Sequence, residues 1–548
     1  MYRQTLDPVA HSLAWSSAVA VLPLLVLFVL LGVVRLRAWI ASLIALAAAF
    51  VIALAAYGMP TGQTLLAASE GAAFGFFPIL WIVINAIWVY LMTVETGHFD
   101  VLRRSFTRVS DDQRIQAVII AFSFGALMEA LAGFGTPVAV TSVMLIALGF
   151  RPLKAATLAL VANTAPVAFG AMATPIITLG KVTGISTDTL GSMVGRQTPL
   201  LALFVPLVLV GIVDGRRGVR QTWVSAVGCG LAFAVTQYVT SNFISVPLAD
   251  VLASLVSAAT VVALVRLGGP SQAPAFAGMP IIAGGAVDEP PPQFAQRTAQ
   301  PDPPADLIRA YAPYAVITLV FVVCQIGPVK SALDKATRVY PWPGLHVVSA
   351  SGKPLSLASF TLNYLTSPGT QMLVAGLLTM IALRVGPLRG LRTYGLALAR
   401  LRWAILTVMA VLALAFVMNL SGQTITLGTW VAGAGGAFAF LSPMLGWFGT
   451  AMTGSDTSSN SLFGALQITA AGQTGLSKVL LAASNSSGGV LGKMVSPQNL
   501  VIAAAAVGLD GKEGDIFRKV VGWSLLFLLG MCALSALQST GVLSWMVP

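Results

Sequence analysis

The sequence predicts an all-α polytopic membrane protein, on three observations. Of its 548 residues, 57% are hydrophobic and only 9% are charged, whereas soluble proteins are about 25% charged. Long apolar runs recur along the chain, and their number allows about 12 transmembrane helices of roughly 20 residues each. The basic residues fall in short clusters between these runs, as they do in cytoplasmic loops.

Composition also excludes several classes of function. The net charge of +12 does not indicate nucleic-acid binding, because the basic residues are not gathered along one helix face. The few cysteines and histidines lack the spacing of a disulfide frame, a metal site or a haem site. GVLGKM lacks the pattern of a nucleotide-binding loop, and GSDTSSN has no histidine base nearby. We therefore expect neither an enzyme nor a bound cofactor or metal.

The chain is expected to consist of two membrane halves, 1–265 and 307–548. The intervening segment, 266–306, contains PSQAPAFAGMP and DEPPPQ and has no periodic apolar pattern. Such composition is typical of a flexible linker, and its position between spans predicts a cytoplasmic location.

Six basic clusters set the expected orientation. If all six face the cytoplasm, the spans alternate consistently and both termini lie outside. The clusters are Arg35 with Arg37, Arg103 to Arg114, Arg151 with Lys154, Arg216 to Arg220, Arg384 to Arg402, and Lys512 to Lys519.

The segment 115–150 begins and ends on the predicted cytoplasmic side, so one crossing alone does not fit it. It contains the helix breakers Gly125, Gly133, Gly135 and Pro137. We expect a span followed by a re-entrant hairpin, which is tolerated at membrane depth only beside protein or a water-filled cavity.

An internal repeat is present. NTAPVAFGAMATP at 163–175 matches NSSGGVLGKMVSP at 485–497 without a gap, and FGALM at 124–128 precedes the first copy as FGTAM at 448–452 precedes the second. The predicted topology runs the two copies in opposite directions. Inverted repeats with broken helices at a central binding site are typical of secondary transporters.

Three isolated charges lie in or beside the repeated blocks: Glu129, Asp456 and Lys493. Each would cost about 2.5–3.5 kcal/mol at the centre of a lipid-facing helix, so each is expected to face a cavity or a partner. In the functional interpretation, Lys493 attracts an anionic substrate, and Glu129 or Asp456 carries a proton. In the alternative, a buried Lys493–Asp456 pair only holds the two halves together. Ala171 occupies the position of Lys493 in the first copy, so the repeat scaffold itself does not require a lysine.

Neutral polar residues near the glycine-rich breaks are candidate partners for a small anion, because half-helix N-termini and hydroxyl or amide groups bind carboxylates. The alternative for each is helix packing through small polar side chains. The candidates are Asn163, Thr136, Ser455, Thr457, Ser458, Asn485 and Ser486. Arg196 lies in a loop assigned to the outside, where it could guide anions inward or cap a helix.

Six blocks resemble the L-lactate permease family in the same order: EALAGFGTPVAV, ANTAPVAFGAM, MVGRQTP, LGWFGTAMTGSDTSSNSLFGALQ, GGVLGKMVSPQN and IAAAAVGL. The resemblance implies uptake of L-lactate, often with D-lactate and glycolate, coupled to protons across the bacterial inner membrane. It also implies two inverted repeats with re-entrant hairpins and an elevator-like motion, like the wider ion-transporter superfamily. The family's motif residues Glu129, Asn163, Asp456, Lys493 and Ser496 are all present. The variant runs ALAGFGT and ASNSSGG leave the preference among short 2-hydroxy acids open.

Two other functions fit the same residues. An anion channel could be lined by them and needs no titrating acid in its path, and a carboxylate transporter could be driven by sodium instead of protons. The expected partners are a small monocarboxylate and membrane lipid, without nucleic acid, and the oligomeric state is left open.

Overall fold

The computed structural model describes the chain except residues 108, 111, 134, 268–301, 351, 353 and 510, and except the side chains of residues 107 and 356. Most of the predicted linker, 266–306, lies outside the described residues. The described part is predominantly helical, which confirms the predicted fold class.

The helices that precede the linker begin and end as follows: α1 (Leu13–Ala20), α2 (Leu22–Gly32), α3 (Ala38–Ala55), α4 (Thr61–Phe74), α5 (Trp81–Glu95), α6 (His98–Thr107), α7 (Gln113–Gln116), α8 (Gly125–Leu131), α9 (Thr136–Ala147), α10 (Pro152–Ala162), α11 (Thr174–Thr183), α12 (Thr187–Val239) and α13 (Ala249–Arg266). A π-helical stretch, Ala117–Phe124, joins α7 to α8.

The helices that follow the linker are α14 (Pro304–Gln325), α15 (Gly327–Asp334), α16 (Pro368–Ala382), α17 (Pro387–Ser421), α18 (Gln423–Val431), α19 (Phe438–Thr453), α20 (Asp456–Thr474), α21 (Lys478–Gly492), α22 (Pro497–Ala506) and α23 (Glu513–Gln538).

Within the described ranges, 10 helical stretches are long and apolar enough to cross a membrane. One of them, Thr187–Ile244, has 58 residues and bends where Asp214 and Gly215 leave helical geometry. At about 1.5 Å per residue it is long enough for two crossings. Other apolar helices, such as α9 and α10, are too short to cross alone. The number of spans therefore stays a prediction.

The broken helices occupy the centre of the molecule. In the stretch Gln113–Leu131, 100% of the residues in the apolar window are buried, compared with 39% in Leu13–Gly32. In α21, every residue from Leu480 to Gly492 is buried. The repeated blocks thus form the core, and the first helices of the chain lie toward its periphery.

Both copies of the predicted repeat fold as a helix, a break and a helix. In the first copy the break at 163–173 separates α10 from α11, and in the second the break at 493–496 separates α21 from α22. The upstream blocks are likewise broken, between α8 and α9 and between α19 and α20. Proline stands in the first turn of α9, α11 and α22, where its missing N–H costs no helical hydrogen bond. The inversion of one copy relative to the other stays a prediction.

Several of the basic clusters meet at one end of the molecule. Arg114 Nη1 lies 3.2 Å from Asp214 Oδ2, and Lys154 Nζ donates to the Val213 carbonyl at 2.9 Å. These contacts join three of the clusters. We call this end the basic face.

Two more basic clusters approach each other nearby. Arg389 donates to the carbonyl of Glu95 at 2.6 Å, where α5 ends just before α6. Trp39, which follows Arg37 by two residues, stacks on Trp403 with ring centroids 5.1 Å apart and an interplanar angle of 16°. The grouping of basic clusters is what a common cytoplasmic face requires.

The opposite end of the molecule carries a small amount of β-structure. The strands are β1 (Tyr2–Arg3), β2 (Arg338–Pro341), β3 (Val347–Val348) and β4 (Ser359–Leu362), paired as a parallel β1–β3 and an antiparallel β2–β4 ribbon. Tyr2 donates its hydroxyl to the carbonyls of Tyr57 at 3.0 Å and Ser421 at 2.8 Å. The N-terminal strand thereby ties together the ends of helices that are distant in sequence.

Candidate functional site

A cavity of about 570 Å³ lies where the breaks of both repeats meet. Its deep wall comes from four elements: the end of α8, the break before α11, the start of α20 and the break before α22. The residues there are Glu129, Gly133, Gly170, Ala171, Thr174, Pro175, Gly454, Ser455, Asp456, Thr457, Ser458, Lys493, Gln498 and Asn499. All three charges singled out in the sequence therefore share one cavity.

Lys493 and Glu129 form an ion pair in this wall. Their Nζ and Oε1 atoms are 2.7 Å apart, and the two side chains are 8% and 4% exposed. Glu129 lies in α8 just before the first hairpin break, and Lys493 begins the short 3-10 turn that follows α21. The predicted alternative named the wrong acid, because the partner of Lys493 is Glu129 and not Asp456. Glu129 Oε2 is buried and has no hydrogen-bond partner among the described residues.

Asp456 is held by neutral donors. Its Oδ2 accepts from Ser486 Oγ at 2.6 Å and Asn460 Nδ2 at 3.2 Å, and its Oδ1 accepts from Thr450 Oγ1 at 3.4 Å. It stands in the first turn of α20, where the positive end of the helix dipole stabilises a carboxylate.

The local sequence explains why α20 begins at this position. Gly454 has a φ of +74°, which glycine adopts without strain and which ends α19. Ser455 follows in an extended conformation, and its Oγ accepts from the Ser458 N–H at 3.3 Å. A serine in this position is a favourable N-cap. The cap and the first turn of α20 thereby form one side of the cavity, which carries Asp456, Thr457 and Ser458.

An amide links the two repeats across the site. Asn460 Nδ2 donates to the Pro175 carbonyl at 3.2 Å, in the first turn of α11. The same amide group contacts Ser486 and Asp456. The starts of α11 and α20, one from each repeat, are therefore fixed relative to each other.

The neutral candidates divide into two groups. Ser455, Thr457 and Ser458 line the cavity. Ser486 is not among the lining residues, but it donates to one of them, Asp456. Asn485 is enclosed in protein, where it accepts from Gln467 and donates to Asn460.

The remaining candidates lie beside the cavity and are not among its lining residues. Asn163 adjoins Lys493 and Asn499 in a small pocket, and its buried Oδ1 has no partner among the described residues. Thr136 begins α9. Ser496 caps α22 and donates to the Lys493 carbonyl at 3.0 Å. Asn163 and Asn485 are the first residues of the two aligned repeat copies, and their surroundings differ.

Arg196 lies within α12, not in a loop as predicted. Its guanidinium donates to Asn242 Oδ1 at 3.1 Å and to the Met546 carbonyl at 2.9 Å. The apolar residues around MVGRQTP continue the helix through this position, so the loop assignment was wrong. Arg196 is not among the residues that line the cavity.

Sequence reasoning missed several residues of interest. Asn499 lines the cavity and donates to the Lys493 carbonyl at 3.2 Å; its position in SPQN beside the repeat was the available signal. Asp250 is buried and accepts from Gln237 at 2.7 Å. Glu70 is also fully buried. Both acids interrupt long apolar runs, and that isolation was a signal for burial.

A bundle of apolar helices whose broken members surround a buried, charged cavity defines a multi-pass membrane transport protein. Its family follows from comparison with known proteins. The L-lactate permease family profile matches residues 16–541, and the chain belongs to that family.

Among curated relatives, the glycolate permease GlcA of Escherichia coli K12 is 40% identical over 97% of both chains. The L-lactate permease of Salmonella typhimurium is 40% identical over 100% of both. Among solved structures, Neisseria gonorrhoeae MtrF, described within a class of antimetabolite efflux pumps, aligns with a TM-score of 0.46 and 12% identity over 86% of this chain and 82% of its own. The family and its bacterial members, together with the apolar helices, place the chain in the bacterial inner (plasma) membrane as a multi-pass protein.

Proposed function

We propose that this chain imports L-lactate together with protons, and that it also accepts D-lactate and glycolate. Membership of the L-lactate permease family and relatives named L-lactate permease and glycolate permease support this substrate class. All three are short 2-hydroxy monocarboxylates, so a site that binds one carboxylate and an adjacent hydroxyl serves each of them.

The ion pair between Lys493 and Glu129 is the observation that carries the proposal. At 2.7 Å, Glu129 occupies the position that a substrate carboxylate would take at Lys493. A proton bound to Glu129 removes its charge and weakens its hold on Lys493, so that the ammonium group accepts the substrate anion instead. The proton and the anion therefore bind favourably together, because no buried charge is left unpaired once both have bound. This exchange couples one proton to one anion.

The second half of the binding position is the start of α20. Ser455, Thr457 and Ser458 line the cavity beside Asp456, and the free N–H groups of a helix start bind carboxylates. The substrate lies between this helix start and Lys493, with its hydroxyl directed to the neutral side chains. Asp456 already accepts from Ser486, Asn460 and Thr450. We assign it a positioning role, in which it holds the residues of this wall in their orientation.

Uptake into proteoliposomes tests the proposal. The unchanged protein should accumulate labelled lactate when the outside is made acidic, and an imposed sodium gradient should not replace the proton gradient. It should also exchange labelled for unlabelled lactate without any gradient, which an open pore would not do. Accumulation driven only by sodium, or conduction without exchange, would contradict the proposal.

Two substitutions assign the roles within the ion pair. Glu129→Gln is expected to keep lactate exchange and to lose proton-driven accumulation, because the glutamine mimics the protonated acid. Lys493→Ala should lose both activities. Glu95→Gln is the matched control, since Glu95 is exposed on the basic face and should retain both.

A further inference from the structure

The cavity has a second group of lining residues at its outer end. They are Arg37, Ala38 and Trp39 at the start of α3 and Trp403, Ala404 and Thr407 of α17. Arg37 is exposed, and it belongs to the basic clusters that the sequence assigns to the cytoplasm. This end is therefore the mouth through which the cavity reaches the basic face.

The mouth is built from rigid parts. Trp39 and Trp403 stack in nearly parallel planes, and the Arg402 guanidinium lies 5.3 Å from the centre of the Trp403 ring, a distance typical of a cation–π contact. Stacked aromatic rings bury a large area and hold their neighbours in place. Arg37 is thus presented from a fixed helix start beside a fixed aromatic wall.

The guanidinium of Arg37 has no partner in the described part of the chain. It forms no ion pair there, and Arg37 is exposed where it lines the cavity. A guanidinium suits a carboxylate, because its planar fork of N–H donors matches the two carboxylate oxygens.

The ion pair in the deep wall supplies a reason for such a site. Because Glu129 holds Lys493 at 2.7 Å in this structure, a substrate anion would have lost its counter-charge at the deep position. The next cation that lines the same cavity is Arg37. An anion displaced by Glu129 would therefore find its next counter-charge at the mouth.

We propose that Arg37, beside the stacked rings of Trp39 and Trp403, forms a second carboxylate-binding position at the mouth, which the 2-hydroxy acid anion occupies between the deep site and the cytoplasm. This inference rests on the proposed function, because it assumes that such an anion passes through the cavity.

Transport measured from each side of the membrane tests the second position. Inside-out vesicles present the basic face to the medium, and right-side-out vesicles present the opposite face. Arg37→Gln should raise the KM for lactate about tenfold in inside-out vesicles, as expected from the loss of one charge-assisted hydrogen bond. The KM in right-side-out vesicles should stay within about twofold of the unchanged value, since entry from that face reaches Lys493 first.

Two further variants complete the test. Arg37→Lys should restore part of the loss, because the positive charge remains. Arg35→Gln removes an equal charge from the same loop at a position that does not line the cavity, and both KM values should be unchanged.

The outcomes separate this inference from the proposed function. If the unchanged protein transports lactate and Arg37→Gln behaves like Arg35→Gln, the second position is overturned and the proposed function stands. Equal rises in KM from both faces would also overturn it, because they would assign Arg37 a general role. If the unchanged protein transports no lactate from either face, the proposed function fails and this inference fails with it.

Discussion

Removing one member of the buried ion pair should destabilise the protein more than removing both. Lys493→Met leaves the Glu129 carboxylate without its cation, whereas Lys493→Met with Glu129→Gln leaves no buried charge at this position. The pair is nearly inaccessible, at 8% and 4% exposure, and its atoms are 2.7 Å apart. The double variant is therefore expected to be closer to the unchanged protein in stability than the single variant.

The magnitude follows from the geometry. At an effective dielectric constant of about 20, two unit charges at this distance attract each other by about 6 kcal/mol. Desolvation offsets much of that gain, and loss of one partner from a buried pair costs about 3–5 kcal/mol. We expect the single variant to lose that amount and the double variant to recover most of it.

Thermal unfolding of the purified protein in detergent measures the difference, with lactate transport assayed in parallel. Neither variant should transport. The exposed pair of Arg389 and Glu95, 3.9 Å apart, provides the control, because Arg389→Gln should change stability by less than about 1 kcal/mol. A double variant that transports normally would refute the transport role of the pair, and equal stability of the single and double variants would refute its burial as an ion pair.

Two further predictions concern the packing around the site and the basic face. Gly489→Ala places a methyl group against Asp456 Oδ1, and this overpacking should cost about 1–3 kcal/mol of stability and abolish lactate uptake. The control Gly530→Ala places its methyl group in open space and should leave uptake unchanged. Normal uptake by Gly489→Ala would contradict the described packing. Arg114→Gln removes a guanidinium that is 0% exposed and leaves the buried Asp112 without this cation, so it should lower the free energy of unfolding by about 3–5 kcal/mol. An unchanged unfolding temperature would contradict the assignment of Arg114 as a buried link.

The sequence was sufficient to predict that three charges converge on one site. Glu129, Asp456 and Lys493 each stand alone in an apolar environment, and a lone charge in a membrane helix needs a cavity or a partner. The glycine and proline residues of the repeated blocks likewise predicted broken helices. Both predictions depend on local sequence and on the cost of burying charge, and for that reason they did not require the tertiary structure.

The sequence was not sufficient to predict which acid pairs with Lys493. Glu129 and Lys493 are 364 positions apart, and their contact depends on how the breaks of the two repeats pack. Asp456 is closer in sequence, but Ser486, Asn460 and Thr450 supply its hydrogen bonds. Such a choice between two acids is decided by tertiary packing, which no local pattern records.

Other errors also have local causes. Arg196 is a charge between apolar runs, a pattern that predicts a loop, yet its neighbours continue α12 and its guanidinium donates to Asn242 and to the Met546 carbonyl. The sequence identifies Arg37 only as part of a basic cluster, because a residue that marks orientation and a residue that lines a cavity mouth look the same in sequence.

Proton uptake on binding tests the central claim most directly. If protonation of Glu129 frees Lys493 for the substrate anion, addition of lactate to the purified protein in weakly buffered solution should withdraw about one proton from the solution for each anion bound. The Glu129→Gln variant should bind lactate and withdraw none. Lactate binding without proton uptake by the unchanged protein, or equal proton uptake by Glu129→Gln, would contradict the account.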